Sequence, residues 1–300
     1  MAWSDAAGGG PEQDARDREA LVRQIAEEVR RRMTLPAPAP ETAGACAGRC
    51  ALAGQDAART RHLAEQGVAR LSCCAHLGEV DRELAAMIDH TLLRPDATAR
   101  DIEALCSEAL CLGVATVCVQ PIWVPAAARA LEHSPVKVCT VVGFPHGANR
   151  PEVKAYETQL AVAQGAREID MVIPVGAFKG GDTRSVAEHI RAVVRAARAG
   201  ILVKVILETA FLSREEKITA CTIARAEGAH FVKTSTGFGP SGATLPDVRL
   251  MREVVGPAMG VKAAGGIRDR ETAVAMIEAG ADRIGASASV RIAATEPAAG

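Results

Sequence analysis

The chain has 300 residues, 48% of them hydrophobic, with 35 lysines and arginines against 36 aspartates and glutamates and a net charge of -1. That balance gives no whole-molecule reason to bind nucleic acid or anionic lipid, and an aromatic content of 3% argues against base-stacking platforms. No apolar run reaches membrane-spanning length, and MAWSDAAGGG lacks the basic start and apolar stretch of a secretory signal, so a cytoplasmic location is expected.

The first predicted element is a helix over 13–33. Leu21, Ile25, Val29 and Met33 recur four apart, Val22 widens the stripe, and Arg30, Arg31 and Arg32 sit at the C-terminal end, where the helix dipole favours them. The alternating Pro and Ala of TLPAPAPETAGA then read as an extended linker. A helix cut off from the body in this way cannot bury its stripe at home, so 13–33 is expected to bind another molecule; the alternative is a helix folded back onto the body. The chain divides into an interaction segment (1–35), a linker with an Ala/Cys-rich extension (36–78) and a main domain (79–300). Cys46, Cys50, Cys73 and Cys74 lie in the N-terminal region with His62 and His76, but their spacing matches no zinc pattern. Cys106, Cys111, Cys118, Cys139 and Cys221 fall inside apolar patterns and read as buried thiols.

From residue 79 on, strand and helix patterns alternate. The strands are AMIDHTLL, ATVCVQP, VKVCTVVGF, EIDMVIP, LVKVILET, HFVKTST, GVKAAGG and DRIGASA. Helices are predicted over 98–112, 122–132, 151–164, 182–199, 214–227, 245–255 and 270–279, three of them stopped by Gly200, Gly228 and Gly280. Eight strands and seven helices in alternation predict a closed parallel (β/α)8 TIM barrel. An open doubly wound sheet is the alternative, weakened by the lack of a GxGxxG turn after the first strand.

Active residues of such barrels cluster at the C-terminal ends of the strands. The polar residues that interrupt these strands are Asp89, Asp170, Lys204, Glu208, Lys233 and Lys262. Lys204 and Glu208 read as members of a supporting salt-bridge network. Lys233 and Lys262 stand on neighbouring strands, and burying two ammonium groups together is costly. At about 6 Å and an effective dielectric near 20 they would repel by roughly 3 kcal/mol, roughly two pKa units. The expectation is that one lysine depresses the other and makes an amine nucleophile for Schiff-base chemistry. Glycine-rich turns are expected after the last two strands, at Gly265-Gly266 and at Gly285-Ala286-Ser287, with Gly237 adding a further amide. They predict an oxyanion or phosphate site built from backbone amides and the Ser287 hydroxyl.

Seven segments, in order, resemble deoxyribose-phosphate aldolase, a class I aldolase family of (β/α)8 type: IDHTLL (88–93), VGFPHG (142–147), EIDMVIP (168–174), KVILET (204–209), FVKTSTGF (231–238), VKAAGGIR (261–268) and RIGAS (283–287). The resemblance implies that Lys233 forms the Schiff base with acetaldehyde and that Lys262 is the neighbouring cation. Asp170, with an ordered water, would move protons. The substrates implied are 2-deoxyribose 5-phosphate, glyceraldehyde 3-phosphate and acetaldehyde, with no metal or other cofactor and a homo-oligomeric assembly. Another Schiff-base aldolase acting on a phosphorylated substrate, or a barrel retained as non-catalytic cargo, is the competing expectation. Three departures stand out. Phe238 replaces a lysine that some relatives use to help hold phosphate. No C-terminal tyrosine is present, the single tyrosine being Tyr156. The N-terminal extension resembles the encapsulation peptides that direct enzymes into bacterial microcompartments, whose shell or cargo proteins would be the partners of 13–33.

Overall fold

The computed structural model describes residues 80–294. The expected helix over 13–33, the linker, and Cys46, Cys50, Cys73, Cys74, His62 and His76 lie outside the described residues. Within them, eight strands close in sequence order: β1 Ile88–Leu92, β2 Thr116–Val119, β3 Lys137–Val142, β4 Glu168–Val172, β5 Leu202–Ile206, β6 Phe231–Lys233, β7 Gly260–Ala264 and β8 Arg283–Ala286. All neighbours are parallel, and β8 pairs back onto β1 with Asp89 opposite Gly285. The closed barrel rules out the open sheet.

The helices are α1 Arg82–Ala85, α2 Ala99–Leu112, α3 Val124–Ala130, α4 Pro151–Ala163, α5 Val175–Lys179, α6 Thr183–Ala197, α7 Arg214–Ala226, α8 Leu245–Val255, α9 Arg270–Glu278 and α10 Ser289–Ala293. Their boundaries follow local chemistry. Thr98 with Asp101 and Ser213 with Glu216 form capping boxes, and Asp182, Thr244 and Asp269 cap α6, α8 and α9. Each such cap stabilises its helix by about 1 kcal/mol. The three predicted stop glycines all take positive φ, 87°, 80° and 114° for Gly200, Gly228 and Gly280. Three short helices, α1, α5 and α10, went unpredicted; four or five residues are too few to show a helical period.

Two apolar cores result. The larger lies between sheet and helices; Val186, Ile190, Val193 and Ala197 of α6 show its spacing and are fully or almost fully buried. The smaller, Leu93, Cys118, Cys139 and Val141 with Phe144 packed on it, stands on the inward-facing side of β1–β3. Cys106, Cys118, Cys139 and Cys221 are buried free thiols, and Cys111 is buried with them. The five-residue α10 is pinned at the seam where the barrel closes. Buried His90 of β1 hydrogen-bonds Ser289 at 2.8 Å through Nδ1 and Glu108 of α2 at 2.9 Å through Nε2.

Candidate active site

Strand alternation decides what points into the barrel. Register places Lys233 opposite Lys262, Lys262 opposite Arg283, Asp170 opposite Lys204 and Cys139 opposite Glu168. Barrel closure brings all of these, with Asp89 from β1, into one buried cluster.

Asp170 is its hub. One carboxylate oxygen, Oδ2, accepts from Lys233 Nζ at 2.9 Å and Lys262 Nζ at 2.7 Å, and the other accepts from Lys204 Nζ at 2.8 Å. Lys262 also reaches Asp89 at 2.5 Å, and Lys204 reaches Glu168 at 2.6 Å. Arg283 closes the ring below, 2.6 Å from Asp89 and 3.2 Å from Glu168. Thr116 donates to Asp89 at 2.8 Å. Burial drives the Asp170 carboxyl upward, but Lys204, Lys233 and Lys262 outweigh it and hold the group well below the usual carboxylate range. Burial likewise lowers Lys262 and Lys204, yet Asp170 and the neighbouring carboxylates outweigh it and raise both. Both therefore remain ammonium ions.

The count of charges follows. Lys204, Lys233, Lys262 and Arg283 face Asp89, Glu168 and Asp170, four cations over three anions, all but Arg283 almost wholly buried. The cluster reaches neutrality when one lysine is an amine. Lys233 has a single carboxylate contact, whereas Lys262 and Lys204 have at least two each.

Cys139 donates to Asp170 at 3.2 Å and accepts from Lys204 at 3.3 Å, and a hydrogen bond from Cys139 holds the Cys118 thiol below its ordinary value. Cys118, Cys139 and Asp170 bring one ligand atom each within 4.8 Å of one another. Three lysine nitrogens already face Asp170 there, so a metal cation would meet like charge at close range.

The structure redistributes several expected residues. Lys204 is no distant support; it touches Asp170 directly. Glu208, expected beside Lys204, lies apart from it and binds Thr236 instead. The reason is spacing: β5 ends at Ile206, and four residues of extended chain, roughly 13 Å, carry Glu208 away from Lys204 toward the mouth. Gly285 is not in a turn but inside β8, and a Cβ there would come 3.0 Å from Lys262 Cε. Its lack of a side chain makes room for the lysine. Gly265 and Gly266 do form a turn after β7, and Gly237 stands in an exposed turn after β6 with φ 87°. The β6 and β7 loops touch through Gly242 and Gly265, where a Cβ on Gly242 would come 2.1 Å from the Gly265 carbonyl oxygen. Ser287 is exposed just beyond β8. Phe238, half-exposed, meets Phe144 edge to face with centroids 5.3 Å apart. Tyr156 stands exposed on α4, outside the barrel.

Sequence reading missed Glu168, Arg283 and Cys139. Each lies two residues from another inward-facing position or opposite one, so period-two alternation carried the signal. A cavity of about 490 Å³ lined by residues such as His146, Arg150, Glu152 and His189 lies at other residues altogether and contains none of the lysine cluster.

A closed (β/α)8 barrel with a lysine–aspartate cluster in its interior and glycine turns at its mouth has the form of a class I aldolase. A model of the DeoC/LacD family aldolases matches residues 84–292. The chain is 59% identical over 211 residues to deoxyribose-phosphate aldolase 1 of Bacillus licheniformis, covering 70% of this chain and 95% of that one. It is 56% identical over 213 residues to deoxyribose-phosphate aldolase of Geobacillus sp., covering 71% and 96%. Among solved structures, the tetrameric deoxyribose phosphate aldolase of Aeropyrum pernix aligns with a TM-score of 0.67 at 35% identity, covering 77% of this chain and 95% of that one. The chain belongs to the DeoC/LacD family of aldolases.

Proposed function

We propose that this enzyme catalyses reversible aldol cleavage of 2-deoxy-D-ribose 5-phosphate to D-glyceraldehyde 3-phosphate and acetaldehyde, through a Schiff base on Lys233. The observation that carries the role of Lys233 is its place as the surplus cation of a buried cluster. The two hydrogen bonds to Asp170 Oδ2, 2.9 and 2.7 Å, put the Lys233 and Lys262 nitrogens within about 6 Å of each other. Lys262 and Lys204 share Asp170 with it, so that carboxylate is not Lys233's alone. Lys262, held by two carboxylates, keeps its proton.

The neutral Lys233 amine attacks C1 of the open-chain sugar, and loss of water gives an iminium. A base removes the C3 hydroxyl proton, the C2–C3 bond breaks, and its electron pair flows into the iminium to give an enamine and the aldehyde of glyceraldehyde 3-phosphate. Protonation at C2 and hydrolysis release acetaldehyde and restore the lysine. Asp170 is placed to exchange protons at the Lys233 nitrogen, with a water completing the path to carbon. Backbone amides at Gly237, Gly265 and Gly266, with Ser287, would hold the phosphate. Leu93, Val141 and Phe144 supply an apolar wall suited to the two-carbon fragment.

Borohydride reduction in the presence of acetaldehyde should leave a stable adduct on Lys233, located by peptide mass mapping and absent in Lys233→Ala. An adduct on Lys204 instead would overturn the assignment of roles. From the sequence of 13–33 we further propose a cytoplasmic enzyme carried into a microcompartment lumen by that segment. The exposed Val153, Tyr156 and Leu160 on one side of α4 support self-association into a homo-oligomer.

A further inference from the structure

At the mouth of the barrel lies a buried carboxylate with no cation partner among the described residues. Glu208 stands two residues beyond the end of β5 and is 3% exposed. Its backbone is left-handed, φ 55° and ψ 63°, a conformation that costs a side-chain-bearing residue about 1–2 kcal/mol and must be held by its surroundings. What holds it is the loop after β6. Oε2 accepts the Thr236 backbone N–H at 3.1 Å and also the Thr236 hydroxyl. The same hydroxyl oxygen accepts the Phe238 N–H at 3.0 Å. Next to Glu208, the Thr209 N–H donates to the Thr234 carbonyl at 3.0 Å. Oε1 has no hydrogen-bond partner among the described residues, and a Cβ at Gly239 would stand 2.9 Å from it, so residue 239 is tight against the carboxylate.

The consequence is a preset turn. One carboxylate oxygen fixes Thr236 at its amide and its hydroxyl, and that hydroxyl turns the Phe238 amide inward. The residue left between them, Gly237, is exposed, at φ 87°, with nothing within 4 Å of where a Cβ would be. We propose that Glu208 is a positioning residue: through Thr236 it sets the 236–239 turn so that the Gly237 amide faces the phosphate of the substrate. This matters most in a mouth where position 238 is phenylalanine and offers no cation. The inference rests on the phosphorylated substrate proposed above. A neutral amide oxygen can accept the same two donors, but charge-assisted bonds to a carboxylate hold the geometry more firmly.

The test compares wild type, Glu208→Ala and Glu208→Gln with two substrates, 2-deoxyribose 5-phosphate and unphosphorylated 2-deoxyribose. Binding of inorganic phosphate, followed by 31P NMR, is measured beside them. Glu208→Ala should raise KM for the phosphorylated sugar roughly tenfold, the loss of one oriented hydrogen bond, while kcat falls less than threefold. It should weaken phosphate binding by a similar factor and change kcat/KM for the unphosphorylated sugar less than threefold. Glu208→Gln, which keeps an acceptor oxygen, should recover most of the KM and covers the case in which the alanine variant does not fold. Equal losses on both sugars, or unchanged phosphate binding, would overturn the proposal. Failure of the wild type to cleave either sugar would overturn the substrate reading instead, and the phosphate titration would still judge Glu208.

Discussion

Replacing Lys233 by methionine should abolish turnover and leave the fold as stable as before, or more stable, while the same change at Lys262 should weaken it severely. Four cations share three carboxylates in the barrel. Lys233→Met removes the surplus. As the amine of the cluster, Lys233 contributes one hydrogen bond to Asp170 at 2.9 Å and leaves no charge unpaired when it is removed, a loss of about 1 kcal/mol offset by the better packing of methionine. A net change within about 1 kcal/mol, of either sign, follows. Lys262→Met removes a cation that touches Asp170 at 2.7 Å and Asp89 at 2.5 Å, leaving buried carboxylates short of a partner. Breaking a buried pair from one side costs about 3–5 kcal/mol. At about 2–4 °C per kcal/mol for a domain of this size, its thermal midpoint should fall by roughly 6–20 °C. Lys262→Met with Asp89→Asn restores the balance and should recover much of the loss. Calorimetric or circular-dichroism melts of the four proteins decide the matter. Should Lys233→Met melt as low as Lys262→Met, Lys233 is not the surplus charge, and the electrostatic basis for its role as the amine fails.

Lys154 gives a pH prediction of definite sign. It is fully buried, donates to the Gly147 and Val172 carbonyls at 2.7 Å each, and stands 2.9 Å from His189 Nδ1; burial pushes its ammonium down to about 7. An unfolded lysine titrates near ~10.4, so between about pH 7 and 10 the unfolded chain binds more protons and stability from this group should rise with pH. Lys154→Met should flatten that rise in urea midpoints; an unaltered pH profile would refute it. Gly237→Ala should raise KM for the phosphorylated sugar severalfold with little effect on kcat, because positive φ is costly for alanine while space is not lacking. Equal kinetics for the two proteins would remove Gly237 from the phosphate site. Deleting residues 1–40 should leave kcat/KM within twofold and abolish sedimentation with shell or aggregate; lost turnover with retained sedimentation would show that the segment serves the barrel.

Much of the architecture was legible because helix and strand periods are local. Capping boxes at Thr98–Asp101 and Ser213–Glu216, and stops at Gly200, Gly228 and Gly280, are written in consecutive residues. Lys233, Lys262 and Asp170 were legible too: a charge in an apolar strand is expensive, and expense without evident local relief points to chemistry. The helices α1, α5 and α10 were not legible, being too short for a helical period to show.

What sequence alone determined, then, was the alternation that makes a barrel and the identity of the costly charges within it. What tertiary structure decided was their pairing. Residues from β1, β4, β5, β6, β7 and β8 meet only once the sheet closes, so alternation can place Glu168 and Arg283 on the inner face, but their pairing and the sharing of one Asp170 oxygen by two lysines have no signature along the chain. Glu208 left its expected partner because it lies beyond the end of β5, where it meets Thr236 of the loop after β6. Coulomb energy depends on distance in space, and separation along the chain does not report it until the fold has formed.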